Sequence, residues 1–248
     1  MIGAISRMSF LIVAAIGFVP PGGDSPEATR EAVCVRASKP PVLDGRLDDP
    51  CWAEARVIDK FPSFWLGKAS GTGTKARLVW DDEALYFAAE MTDKEIRSFG
   101  TKRNDTLWKG DVFELFFKPK ADSPAYYEFQ INPRSVILEL AFPKRGYPFG
   151  ELAARPPMGM QGVAKVDGTG DTTGDVDRSW TVEGKIPWTI FAPTGGRPRP
   201  GDTWSFALCR FDYGLDSTTP ILMSSAPLTR ADFHRYEDYG RLVFEGPK

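Results

Sequence analysis

From residue 33 to residue 246 the chain keeps returning to one pattern, short runs in which apolar and polar side chains alternate, separated by clusters of Gly, Pro, Asp and Asn. Alternation with a period of two marks a strand with one face in a core, and the intervening residues are turn formers. Such runs fall at 33–37, 76–80, 85–91, 111–117, 125–132, 135–142, 162–167, 179–186, 203–211 and 241–244. Asp81, Asp82 and Glu83 join the second and third runs as a hairpin with a short acidic loop. A Pro-Asp-Gly turn and a short helical piece around Trp52 break the series near its start, and no long amphipathic helix follows. About ten one-faced strands predict an all-β fold, an antiparallel β-sandwich with a short helical piece near the N-terminus, a barrel being the alternative. No linker interrupts 33–246, which reads as one domain.

Alternation also sorts side chains by face. The run 111–117 sends Phe113, Leu115 and Phe117 one way and Val112, Glu114 and Phe116 the other. The run 125–132 opposes Tyr127, Phe129 and Ile131 to Tyr126, Glu128, Gln130 and Asn132. The polar members of the second set fit either a strand face open to water or the wall of a groove that hydrogen-bonds hydroxyl groups. Trp108 stands outside any strand, in "NDTLWKGD" (104–111). It fits a cap on the sandwich edge or a stacking platform. Pyranose rings present apolar C–H faces and a fringe of hydroxyls, so a sugar site needs an exposed aromatic beside carboxylate or amide groups. Trp52, Trp80, Trp180, Trp188 and Trp204 lie in strand or helix-start patterns and read as core, while Trp65 is ambiguous.

The 24 Gly and 21 Pro among 248 residues fit a turn-rich β-protein. A net charge of −2 with no basic stripe excludes the cationic footprint of a nucleic-acid binder. Arg7 followed by the apolar run Met8–Val19 and then a Pro/Gly-rich exit reads as an export signal or N-terminal anchor over 1–23, with a disordered linker over 24–32. This predicts a secreted or periplasmic protein, with no membrane association beyond the leader. Cys34, Cys51 and Cys209 fit one disulfide with a thiol left over or three small buried apolar residues. Two acidic turns are weak metal candidates, Asp44 with Asp48 and Asp49, and Asp81 with Asp82 and Glu83. Neither supplies alone the six to eight oxygens calcium takes.

Along the chain, in order, stand "PPVLDGRLDDPCW", "LVWDDEALYFAAEMTD", "KRNDTLWKGDVFELFF", "YYEFQINP", "WTVEGKIPW", "RPRPGDTWSFALCRF" and "FHRYEDYGRLVF". This succession resembles the family 9 carbohydrate-binding modules, a β-sandwich group akin to DOMON domains, over about residues 33–245. The resemblance implies a terminal sugar held between two aromatic rings, which fall here at Trp108 and Phe233. It implies Glu114 as a hydrogen-bonding acid, and Gln130 where some members carry a sugar-contacting residue, often arginine. Phe233 departs from the pattern, since phenylalanine offers less stacking area than tryptophan and no N–H. The implied function is non-catalytic recognition of the ends of poly- or oligosaccharides, in support of glycan breakdown beside glycoside hydrolases. The resemblance implies no required cofactor, although the family can hold structural calcium. Two other classes remain. A glycoside hydrolase needs two carboxyl groups across one bond, for which Glu114 and Glu128 are strand acids. A DOMON-type haem or electron-transfer domain needs axial ligands such as His234, the only histidine, with Met91, Met158, Met160 or Met223.

Overall fold

The computed structural model describes residues 28–63, 73–172, 175–214 and 218–246. The expected leader, the first part of the linker and Trp65 lie outside the described residues. Among the described residues, eleven strands form one hydrogen-bonded sheet, ten of them along a single path. They are β1 (Glu31–Arg36), β2 (Thr74–Trp80), β3 (Ala84–Thr92), β4 (Val112–Lys118), β5 (Tyr126–Ile131), β6 (Ile137–Phe142), β7 (Gln161–Asp167), β8 (Ser179–Pro187), β9 (Thr203–Asp212), β10 (Ile221–Ser224) and β11 (Gly240–Phe244). The order is β6-β5-β4-β9-β11-β1-β2-β3-β8-β7, with β10 beside β9. The path folds into two layers, because β1 pairs through Glu31–Cys34 with β11 and then through Val35–Arg36 with β2. The layer running from β6 to β11 is the front sheet, and that from β2 to β7 the back sheet.

This is the all-β sandwich that alternation predicts, with one difference. Both pairings of β1 are parallel. Parallel neighbours need a crossover rather than a hairpin, and one is available in the long segment containing α1 (Pro50–Glu54) between β1 and β2. The first strand begins at Glu31, two residues before the run read from the sequence. The acidic hairpin between β2 and β3 closes on Asp81. Its Oδ1 accepts the N–H groups of Glu83 (2.8 Å) and Ala84 (3.0 Å), and its Oδ2 accepts the Tyr86 hydroxyl (2.9 Å). Strand β10 and the short helix α2 (Phe149–Ala153) carry too few residues for a periodic signal.

Three apolar clusters lie on the four faces. The main core fills the space between the sheets, with Leu78, Trp80, Phe87 and Trp180 from the back meeting Phe113, Leu115, Phe117, Phe129, Phe206 and Phe244 from the front. The indole N–H of Trp188 reaches the Asp81 carbonyl (2.9 Å) and that of Trp80 the Glu245 carbonyl (3.0 Å), so both bury their rings with the polar atom satisfied. On the outer back face, α1 lays Cys51 and Trp52 over Val79, Tyr86 and Ala88. There Trp52 Nε1 donates to Glu183 (2.6 Å), whose other oxygen accepts the N–H groups of Gly45 (2.7 Å) and Asp44 (3.1 Å). The third cluster covers the outer front face. The three cysteines are divided one to each cluster and are free, buried thiols, so the two-way choice left by the sequence resolves to unpaired side chains. Burial pushes the thiols of Cys34 and Cys209 up, and that of Cys51 up to about 12.

Candidate functional site

The outer face of the front sheet carries a connected set of buried polar side chains, Glu114, Glu128 and Gln130. Glu114 on β4 lies directly opposite Gln130 on β5 and opposite Cys209 on β9. Glu128, two residues before Gln130, shares their face. The Gln130 amide donates to Glu114 Oε1 (2.7 Å) and to Glu128 Oε1 (2.6 Å), bridging the two carboxyl groups. Glu128 Oε2 lies 3.9 Å from His234 Nε2, and the other ring nitrogen of His234 is 2.9 Å from the Tyr126 hydroxyl. Burial, and then the charge of Glu128, push Glu114 well above the usual carboxylate range. Burial also raises Glu128, while the charge of His234 and the Gln130 amide oppose the rise. Gln130 Oε1 is buried with no hydrogen-bond partner among the described residues.

This polar floor is covered by aromatic rings. Trp108 sits on the 3-10 turn Leu107–Lys109, which the wholly buried Leu107 anchors. The indole is half-buried and meets Phe149 of α2 edge-on, with centroids 5.0 Å apart, and the Tyr213 hydroxyl holds its carbonyl at 3.0 Å. Phe233 belongs to the same cluster, packed edge-on against Phe211 (5.3 Å) and Phe116 (6.3 Å). The fold thus brings Trp108, Glu114, Gln130 and Phe233 to one face, although chain distance separates them widely. It does not present them all to solvent. Phe233 is 6% exposed, Glu114 2% and Gln130 1%. Phe233 therefore offers no open ring face, since Phe116 and Phe211 hold it as part of the cover, and Trp108 is the one of the four that is only partly buried. The water-facing reading of the second strand face does not hold either, because rings and loop residues cover it. Tyr126, Glu128 and His234 complete the network. Alternation already placed the first two beside Gln130, whereas the sequence singled out His234 only as an axial-ligand candidate and not as a neighbour of Glu128.

The two strand acids of the glycosidase alternative, Glu114 and Glu128, both accept from the Gln130 amide. The methionines Met91, Met160 and Met223 lie in the inter-sheet core, whereas His234 packs on the outer face against Phe116, Tyr126 and Phe142. The front sheet separates the histidine from these three sulfurs.

The expected calcium candidates are otherwise engaged. Asp82 pairs with Arg36 and Arg197, Asp81 is consumed by its turn, Asp44 pairs with Arg46 (3.5 Å), and Asp48 is exposed in an irregular segment. The carboxylates that do gather are Asp93, Asp111 and Asp212, at one end of the sandwich. Two of them, Asp93 and Asp212, flank Arg210, whose side chain is fully buried. Its guanidinium donates to Asp93 (2.9 Å) and to the Thr92 carbonyl (3.0 Å), with Asp212 at 3.5 Å. Asp111 accepts the N–H groups of Arg97 (2.5 Å) and Tyr213 (2.6 Å). Arginine supplies the counter-charge and backbone donors take both Asp111 oxygens. The three carboxylates supply alone fewer than the six to eight oxygens calcium takes, and Arg210 already pairs with two of them.

Residues 43–247 match the model of the carbohydrate family 9 binding domain-like family, which covers most of the chain. The chain belongs to this family. A family 9 carbohydrate-binding module from Caldicellulosiruptor kristjanssonii, solved in complex with cellotriose, superposes with a TM-score of 0.60 at 18% identity, covering 88% of this chain and 95% of that one. At that identity the likeness concerns the fold, and it places this family 9 domain in the same sandwich. Endo-1,4-beta-xylanase A of Thermoanaerobacterium saccharolyticum is 26% identical over 156 residues, 63% of this chain. An extracellular protein of Arthroderma benhamiae is 29% identical over 139 residues, 51% of this chain and 60% of that protein. The chain spans only 12% of the xylanase, so the match is to one module of a much larger protein.

Proposed function

We propose that this family 9 domain is a non-catalytic carbohydrate-binding protein that takes the end of a poly- or oligosaccharide on the outer face of its front sheet. In this reading the terminal ring stacks on Trp108 and directs hydroxyl groups into the Glu114–Gln130–Glu128 network, with Phe233 backing the site as part of its packed wall. The observation that carries it is the unpartnered, buried Gln130 Oε1 in a carboxyl–amide network on the sheet face whose apolar cluster the partly buried Trp108 packs against. An orphaned buried acceptor is costly, and a ligand hydroxyl would satisfy it. Family membership, the cellotriose and glucose bound by related modules, and the xylanases among the relatives support a glycan ligand. The same relatives support work outside the cell beside glycoside hydrolases.

Titration calorimetry of the parent and of Trp108→Ala with glucose and cellotriose tests the reading. Loss of an aromatic anchor costs at least about 2 kcal/mol, roughly a 30-fold weakening. Glu114→Gln, which keeps the shape but removes the acid, should weaken binding with Trp108 in place. A Trp108→Ala protein that folds normally and binds with parental affinity would remove the proposal.

A further inference from the structure

We propose that a second sugar-binding subsite, for the residue next to the terminal one, lies in the cleft around Phe99. This rests on the reading of Trp108 given above and extends it along the glycan. The cleft has a volume of about 490 Å³ and is lined by Ser98, Phe99, Thr101, Thr106, Lys109 and Arg134. That size is within the roughly 300–1,000 Å³ of small-molecule sites. Phe99 is the sole aromatic among the large hydrophobic side chains that stand exposed on the described surface, at 41%. Its companions are hydroxyl and cationic donors, the pairing of flat ring and hydrogen-bonding fringe that a pyranose requires.

The platform is fixed, and it is fixed to the Trp108 site. Gly110 follows the Trp108 turn by one residue, and a Cβ there would stand 2.5 Å from the Arg97 carbonyl oxygen and the Phe99 nitrogen. The segment carrying Phe99 therefore lies directly on the chain that carries Trp108. Asp111 donates its N–H to the Arg97 carbonyl (2.7 Å), and Asn132, two residues beyond Gln130, donates to the Phe99 carbonyl (2.8 Å). Asp105 turns the far wall back by accepting the N–H groups of Thr106 (2.9 Å) and Thr101 (3.3 Å). Lys109 is both a wall of the cleft and the next residue after Trp108, with its ammonium 5.3 Å from the Phe99 ring centre. Ser98 Oγ is buried in the lining with no partner among the described residues. Arg134 is held by Asp171 (3.0 Å), which orients its remaining N–H donors. Thr106 and Lys109, on either side of the Leu107–Trp108 pair, both line the cleft, so the Phe99 platform and the Trp108 turn are held on neighbouring backbone.

The test compares glucose with cellotriose on the parent, Phe99→Ala, Phe99→Tyr and Trp108→Ala by titration calorimetry. The parent should bind cellotriose about tenfold more tightly than glucose, the scale of one added aromatic contact. Phe99→Ala should lose that advantage while keeping glucose affinity, and Phe99→Tyr should retain it. The exposed ring makes folding of these variants insensitive to the change, which an unchanged melting temperature verifies. A parent without preference for cellotriose, or a Phe99→Ala protein that keeps it, overturns the subsite and leaves the Trp108 reading standing. Glucose affinity unaffected by Trp108→Ala overturns that reading instead. A parent that binds neither sugar overturns both.

Discussion

Replacing Arg210 with Met tests whether the ion cluster at the end of the sandwich is what locks the two sheets there. Arg210 stands on β9 opposite Phe113, on the inner face of the front sheet, and all its close acceptors except Asp212 belong to the back sheet. Methionine matches the apolar stem but leaves Asp93 and Asp212 without their cation. The two good hydrogen bonds lost, at 2.9 and 3.0 Å, are worth about 1.5–3 kcal/mol each as charged contacts. Orphaning one partner of a buried pair costs about 3–5 kcal/mol in general. At roughly 2–4 °C per kcal/mol for a domain of this size, the melting temperature should fall by about 6–20 °C. Thermal unfolding followed by circular dichroism at pH 7 measures it. Arg210→Lys should fall between the two, because an ammonium keeps the charge and loses the fork. Adding Asp93→Asn to Arg210→Met should cost less than the sum of the single changes, since the second removes the charge that the first orphaned. A Met variant melting within about 3 °C of the parent would show the cluster to be solvated rather than buried, and the argument would fail.

Three further outcomes follow from buried groups. Burial, with the neighbouring Asp93 and Asp212 charges, raises Asp111 from 3.8 to about 8. The folded state then keeps a proton that the unfolded chain releases above about pH 4, so stability falls as pH rises through that window. The raised Glu114, Glu128 and Glu183 push the same way, and a melting-temperature profile from pH 4 to 8 should be flatter for Asp111→Asn than for the parent. Because Arg210 pairs with Asp93 and Asp212 of the Asp93–Asp111–Asp212 cluster, EDTA or millimolar calcium should leave the parent's melting temperature unchanged, and a rise with calcium would show a metal site. Gly184→Ala would place a Cβ 2.2 Å from the Phe87 ring in the main core, an overpacking that costs about 1–3 kcal/mol in the same melt.

Much of the sandwich was legible because period-two alternation reports face as well as strand. Phe113, Leu115, Phe117, Tyr127, Phe129 and Ile131 all enter the inter-sheet core, and Val112, Phe116 and Tyr126 all enter the outer cluster, as their spacing requires. What alternation does not carry is the identity of a strand's neighbour. The parallel pairing of β1 depends on where distant β11 and β2 lie, so a local pattern could only suggest hairpins. Strand β10 spans four residues at a sheet edge, and α2 five, each too short for a period to show.

The site was legible to a different depth. The face of Glu114 and Gln130 followed from alternation, and the family resemblance joined them to Trp108 and Phe233. The cover over them did not follow, because it is built from 3-10 turns and loop side chains that have no period. Yet one signal was present. The companions of Glu114 on that face are Val112, Phe116, Tyr126, Leu138, Leu140 and Phe142, an apolar set that water would not leave bare. A carboxylate among them is either a costly fault or a group retained for a task, since an apolar residue of similar size would pack there without desolvation loss. The second carboxyl group and the amide between them support the task that we propose. A face built for stability alone gains little by burying two carboxyl groups on one donor and leaving that donor's own oxygen unpaired. Such a network has unused hydrogen-bonding capacity, and a polyhydroxylated ligand is the chemistry that uses it.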